Sequence, residues 1–142
     1  LKTAQQKAGS IMQKILALDD EQSIVEFIKK ALDNKGYETF IATDADAFFR
    51  LFREQKIDLV LLDICMPDKN GFEVFKELRR NKHPPVLFVT ADLDSFSVES
   101  KTAMDLWQNE FTEGTADIIY KPFDVATLHE KVLSLIGGAE AV

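Results

Sequence analysis

A single cysteine, Cys65, occurs in 142 residues. No disulfide can form within the chain, and this usage fits a reducing, cytoplasmic compartment. Histidine is nearly as scarce. His83 stands beside two prolines and His129 falls in a helical pattern, and neither has sequence neighbours that suggest catalysis or a metal. Positive charge is in deficit: 17 Lys and Arg against 24 Asp and Glu leave a net charge of -7. That balance argues against general binding to nucleic acid or to an anionic membrane. No apolar run approaches the roughly 20 residues of a membrane-spanning helix, and no signal-peptide pattern opens the chain. Long low-complexity segments are absent as well.

What is present is ample for a core, at 46% hydrophobic residues in a chain the size of one ordinary domain. Because the chain begins at Leu1 and not at Met, it reads as a fragment or as carrying added residues. Residues 1–13 read as a linker or tag, 14–137 as the domain and 138–142 as a C-terminal tail.

The hydrophobic pattern alternates between strand and helix. KILAL (Lys14 to Leu18) is a short apolar run closed by Asp19-Asp20-Glu21. Ile24, Phe27, Ile28, Ala31 and Leu32 then recur at helical spacing, and Asn34-Lys35-Gly36 supplies a stop. YETFIAT (Tyr37 to Thr43) reads as a second strand. Asp44 reads as the N-cap of a helix with Ala45, Phe48, Phe49 and Phe52 on one face. IDLVLL (Ile57 to Leu62) is a continuous apolar strand of the kind buried on both faces. A helix over Phe72 to Asn81 turns Val74, Phe75 and Leu78 inward, and Pro85 to Ala91 form a fourth strand. The stretch 92–114 is long and mixed, with one helical stripe of Ala103, Leu106, Trp107 and Phe111. ADIIYKPF (Ala116 to Phe123) is the fifth strand and its exit. A last helix starts at an Asp124 cap, buries Val125, Leu128, Val132, Leu135 and Ile136, and stops at Gly137-Gly138. Five strands alternating with five helices predict an α/β fold, a doubly wound parallel sheet with helices on both faces.

Ligands of such sheets bind beyond the carboxyl ends of the strands, near the point where strand order reverses. Those ends carry Asp19 and Asp20, Asp63, Thr90 and Lys121. An acid such as Asp63 closing a buried strand costs stability unless it is paired. Three carboxylates gathered in one cleft would repel, and a divalent cation relieves the repulsion. Hard oxygen ligands with room for water suit Mg²⁺. With the fixed charge of Lys121 and the Thr90 hydroxyl nearby, the set suits phosphoryl transfer, with Asp63 as the nucleophile that forms an acyl phosphate. Pro67 sets the backbone direction after Asp63, and Gly71 permits a tight entry into the next helix.

These residues resemble the receiver domain of two-component response regulators over about Lys14 to Ile136. The likeness is carried by Asp19-Asp20, by Asp63 closing the third strand, by Met66-Pro67 with Gly71, by Thr90-Ala91 and by Lys121-Pro122-Phe123. The resemblance implies a flavodoxin-like sheet of strand order 2-1-3-4-5. It implies Mg²⁺ held by Asp20, Asp63 and the backbone carbonyl of Cys65, with Asp19 acting mainly through metal-bound water. Lys121 would contact the phosphoryl group, and Thr90 would swing toward it. The implied donor is a phosphohistidine on a sensor histidine kinase or a histidine phosphotransfer protein. The output is a downstream effector domain or protein, or a phosphorylation-dependent dimer, with no direct nucleic-acid or membrane binding by this unit.

The pattern departs from the family at Ile118, where many receivers carry Tyr or Phe. Tyr120 shares the face of Ile118 by strand alternation and is the candidate to replace that ring, with a different geometry. Cys65 and Asp92 occupy positions that, in the family, influence how long the phosphoryl group lasts. The stretch between Thr90 and Lys121 is also longer than usual by about two helical turns. Glu21 reads as an exposed first-turn acid favoured by the helix dipole.

Three functions compete on these features. A phosphorylation-activated switch leads, as a signalling phosphoacceptor and not a metabolic enzyme. An interaction module that keeps the fold but works without phosphorylation is the alternative. An aspartyl phosphohydrolase is disfavoured, because Cys65 stands where the D-x-D pattern of such enzymes has its second acid.

Overall fold

The computed structural model describes residues 12–66, 71–80, 84–91 and 113–137. The chain runs β1 (Lys14–Leu18), α1 (Gln22–Asp33), β2 (Glu38–Ala42), α2 (Ala45–Glu54), β3 (Leu59–Asp63), α3 (Gly71–Leu78), β4 (Val86–Thr90), β5 (Ala116–Tyr120) and α4 (Val125–Ile136). All strand pairs are parallel, and the sheet has the order β2-β1-β3-β4-β5. Four helices fall among the described residues. The helical stripe expected at Ala103 to Phe111 lies outside them, as do Pro67, His83 and Asp92.

Each face of the sheet carries its own apolar core, as a two-sided parallel sheet requires. On one face Leu16, Leu18, Val60, Leu62, Val86 and Phe88 pack against Phe48 of α2 and Val74, Phe75 and Leu78 of α3. On the other, Ile15, Ala17, Leu59, Leu61, Leu87 and Val89 meet Ile28 and Leu32 of α1 and Leu128 and Val132 of α4. Every residue of β3 and β4 is buried. This explains why those segments read as unbroken apolar runs.

The caps form where acids precede the helical patterns. Asp44 Oδ1 accepts from the Ala47 amide at 2.8 Å, and Asp124 Oδ1 from the Thr127 amide at 2.8 Å. Hydrogen bonding to the exposed Asp124 carboxylate, first from the Thr127 backbone and then from its side chain, holds its pKa below the ordinary value. Gly36 and Gly137 take the positive φ expected of helix stops, at 96° and 79°.

Helix α1 differs in detail from its reading. Its buried positions are Val25, Ile28, Ala31 and Leu32, while Phe27 is 38% exposed. The Phe27 ring packs edge-on against Phe123, with centroids 5.9 Å apart. On α2 only Phe48 is fully buried, and Ala45, Phe49 and Phe52 pack at the margin of that core. The ring of His129 on α4 lies edge-on to the buried Tyr37, with centroids 6.2 Å apart.

Candidate functional site

Strand order reverses between β1 and β3, because the chain moves outward from β1 to β2 and returns on the other side. The register opposes Leu18 to Leu62, so Asp19 and Asp63 emerge side by side at that reversal. Backbone bonds continue the ladders past the strand ends. The Asp19 amide donates to Ala42 O at 3.3 Å, Ile64 to Val89 O at 3.0 Å and Lys121 to Thr90 O at 2.8 Å. These bonds fix the backbone that carries the acids and the lysine before any side-chain contact is made.

Candidate ligand oxygens of Asp19, Asp20 and Asp63 all lie within 4.8 Å of one another. Asp19 and Asp63 are buried, and Asp20 is exposed. Lys121 reaches in from the end of β5. Its Nζ lies 2.9 Å from Asp19 Oδ2, 2.9 Å from Glu21 Oε1 and 3.8 Å from Asp63 Oδ2. The other Asp63 oxygen, Oδ1, accepts from the Cys65 amide at 3.2 Å, and Asp19 Oδ1 accepts from the Glu21 amide at 2.9 Å.

Three carboxylates therefore share one ammonium, with Asp20 beside two of them, and the electrostatics follow. Burial raises the Asp63 pKa, and the neighbouring charge of Asp19 raises it further. Lys121 and the Cys65 amide pull the other way without prevailing, and Asp63 stands at about 7. Burial works against the Lys121 ammonium, but its pairing with Asp19 and Glu21 and the charge of Asp63 outweigh that cost. Its pKa lies above the ordinary lysine value. Asp19 Oδ2 is buried and, despite its 2.9 Å ion pair, accepts no aligned hydrogen bond. An under-satisfied buried carboxylate oxygen within a set of hard oxygen donors fits a divalent cation such as Mg²⁺.

Gly71 lies against this site from behind. Its amide donates to Ile64 O at 3.0 Å. A Cβ at Gly71 would overlap the Asp63 carbonyl and come within 3.0 Å of Ile64 Cα. The glycine is needed for this close approach of two backbones.

The remaining predicted residues fall around this centre. Thr90 is buried at the end of β4, one residue beyond Val89, the register partner of Asp63. Ile118 packs into the core shared by α2 and α3. Tyr120 shares that face by alternation but is 51% exposed. Cys65 is exposed beside Asp63. Asp92 lies outside the described residues.

Sequence reasoning missed the pairing of Glu21. Its helix-dipole reading ignored a lysine 100 positions away, and the only local signal was the run Asp19-Asp20-Glu21.

A model of the response regulator receiver domain matches residues 15–133. The response regulator ArlR of Staphylococcus saprophyticus is 30% identical over 125 residues, covering 88% of this chain and 53% of that protein. The alkaline phosphatase synthesis transcriptional regulatory protein PhoP of Bacillus subtilis is 31% identical over 129 residues, covering 90% and 50%. Among solved structures, the chemotaxis protein CheY4 of Vibrio cholerae superposes with a TM-score of 0.73 at 28% identity, covering 88% of this chain and 99% of that one. The chain thus spans about half the length of the curated relatives it matches. Site geometry, sheet order and family match agree: the chain belongs to the receiver domains of two-component response regulators, the signalling modules of that system.

Proposed function

We propose that this chain is a phosphorylation-activated switch that accepts a phosphoryl group on Asp63 from a phosphohistidine. The observation that carries this reading is the placement of the Asp63 carboxylate. It ends a fully buried strand, with Asp19 beside it, the Cys65 amide on one oxygen and Lys121 3.8 Å from the other. In the transfer, an Asp63 oxygen forms the new bond to phosphorus. The bond from phosphorus to the donor's imidazole nitrogen breaks, and its electron pair stays with the imidazole.

Lys121 and the Cys65 amide favour the carboxylate form of Asp63 that must attack. After transfer, the Lys121 ammonium is the chain's own cation for the phosphoryl oxygens. The residues that would hold Mg²⁺ are Asp19, Asp20, Asp63 and the Cys65 carbonyl. Bound there, the ion would neutralise charge on the transferred group. Thr90, buried at the end of β4, is the hydroxyl we assign to sensing the modified Asp63.

The unit we assign to this role is 14–137. Its proposed partners are a sensor histidine kinase or a histidine phosphotransfer protein on the input side. An effector domain, an effector protein or a second phosphorylated copy serves as output. Among the described residues no helix is long and apolar enough to cross a membrane, and we place the unit in the cytoplasm, where such signalling modules receive phosphoryl groups. Its own chemistry is limited to phosphotransfer and slow loss of the acyl phosphate.

The test is intact mass after incubation with acetyl phosphate and Mg²⁺, with EDTA and Asp63→Asn controls. One phosphoryl adduct that needs the metal and vanishes in the variant supports the switch. If neither acetyl phosphate nor a phosphorylated kinase leaves an adduct on folded protein, a phosphorylation-independent interaction module takes its place. Ile118 and the exposed Tyr120, which depart from the family's aromatic position, favour that second reading.

A further inference from the structure

Glu21 occupies the N-cap of α1, with φ -90° and ψ 111°, yet its carboxylate makes no capping bond to the helix. A carboxylate at a helix N-terminus ordinarily accepts from the exposed amides there. Here the Glu21 backbone is held instead, with its amide on Asp19 Oδ1 at 2.9 Å and its carbonyl accepting from Ile24 and Val25. The side chain turns away from the helix and pairs with Lys121 Nζ at 2.9 Å. Lys121 thus stands between Glu21 and Asp19, 2.9 Å from each, and 3.8 Å from Asp63.

We infer that Glu21 is a positioning residue that restrains phosphorylation by helping Asp19 to hold the Lys121 ammonium away from Asp63. The inference rests on Asp63 being the phosphoacceptor. Lys121 has a single positive charge to share among Asp19, Glu21 and Asp63. An incoming phosphoryl group on Asp63 recruits that ammonium only by drawing it off Glu21. The Glu21 carboxylate also adds negative charge at the rim that an anionic donor must pass. Both effects act in the same direction, so removing the carboxylate favours transfer. Because Glu21 is largely exposed, the pair is weak in the manner of surface ion pairs. The effect is therefore one of tuning, and stability changes little.

The experiment measures the initial rate of phosphoryl uptake from acetyl phosphate at saturating Mg²⁺ for the wild type, Glu21→Gln and Glu21→Asp. Thermal unfolding confirms that each is folded. The expected result is an increase of about two- to fivefold in Glu21→Gln, the range an exposed ion pair supplies. Glu21→Asp keeps the rim charge but loses one methylene of reach, so its rate should lie between those of the wild type and Glu21→Gln, the gain over wild type reporting the lost contact with Lys121. Added salt should narrow the gap between wild type and Glu21→Gln as the pair is screened. An unchanged or slower Glu21→Gln overturns the inference while leaving Asp63 as acceptor. So does a Glu21→Asp variant that matches the wild type, since charge alone would then explain the effect. A wild type that takes up no phosphoryl group from acetyl phosphate or a phosphorylated kinase removes the acceptor reading and this one with it.

Discussion

Asp63 lies beside Asp19 at the ends of two adjacent parallel strands, because Leu18 pairs with Leu62 one step earlier. Both carboxylates are buried, and both are carried by backbone held in the sheet ladders. The repulsion is therefore built into the fold.

Its first consequence is a dependence of stability on pH. The Asp63 carboxyl binds its proton up to about pH 7 in the folded protein, against the 3.8 of an unperturbed group. Between those values the folded state binds more protons than the unfolded state, so stability falls as pH rises. The favourable contribution is fully present below the lower value and lost on passing the upper one. Melting temperature measured from pH 5 to pH 8 without divalent cations should show this fall. Asp63→Asn should flatten it and should exceed the wild type in stability at pH 8. An equal slope in the two proteins would assign the dependence to other groups. Screening at the open rim reduces its size.

Divalent cations should reverse the penalty. Held at the proposed site, Mg²⁺ would compete with the Asp63 proton, so its binding should strengthen as pH rises through about 7. At millimolar Mg²⁺ the rise in melting temperature should be larger at pH 8 than at pH 6, following the ligand-binding relation for the folded state. Asp63→Asn should lose most of that rise at both values. A thermal shift independent of pH would mean that the ion binds elsewhere.

The fold was legible in the sequence wherever pattern and chemistry are local. Asp44 and Asp124 precede helical patterns and do cap helices, and the unbroken apolar runs of β3 and β4 are buried throughout. Asp63 marked the end of β3 because a carboxylate is so poorly suited to the interior that follows a strand like LVLL. Details set by distant partners were not legible. Periodicity defines a stripe on α1 but not its centre, and the buried Val25 lies outside the stripe it picks out. Phe27 shares the spacing of that stripe, yet it is 38% exposed and its ring packs against Phe123. Glu21 illustrates the same limit at the site, since the choice between capping α1 and pairing with Lys121 depends on where β5 ends. The neighbourhood of Asp19, Asp20, Asp63 and Lys121 could be anticipated because sheet topology brings strand ends together whatever the side-chain details.

Capping by Asp44 offers a test of the scaffold away from the site. Its carboxylate satisfies the Ala47 amide at 2.8 Å, and the Asp44→Ala variant leaves that donor to water. The expected loss is about 1 kcal/mol in denaturant unfolding. Phosphoryl uptake at a temperature where the protein stays folded should be unaffected. A change in uptake would mean that α2 communicates with the cleft more directly than its packing against the core implies.

Gly71 should couple stability and chemistry in the opposite way. The methyl group of Gly71→Ala meets backbone, the Asp63 carbonyl and Ile64 Cα, and not the flexible end of a side chain. Either α3 or the end of β3 has to shift. Overpacking of this kind costs about 1–3 kcal/mol, part of it offset by alanine's higher helix propensity. The displaced atoms belong to the residue that carries the proposed acceptor. Phosphoryl uptake should therefore fall by more than the loss of folded protein explains, even well below the melting temperature. Measured side by side, Asp44→Ala should lose stability without losing uptake, and Gly71→Ala should lose both. If Gly71→Ala retains wild-type uptake, α3 yields instead of the strand, and the position of Asp63 is held by the sheet alone.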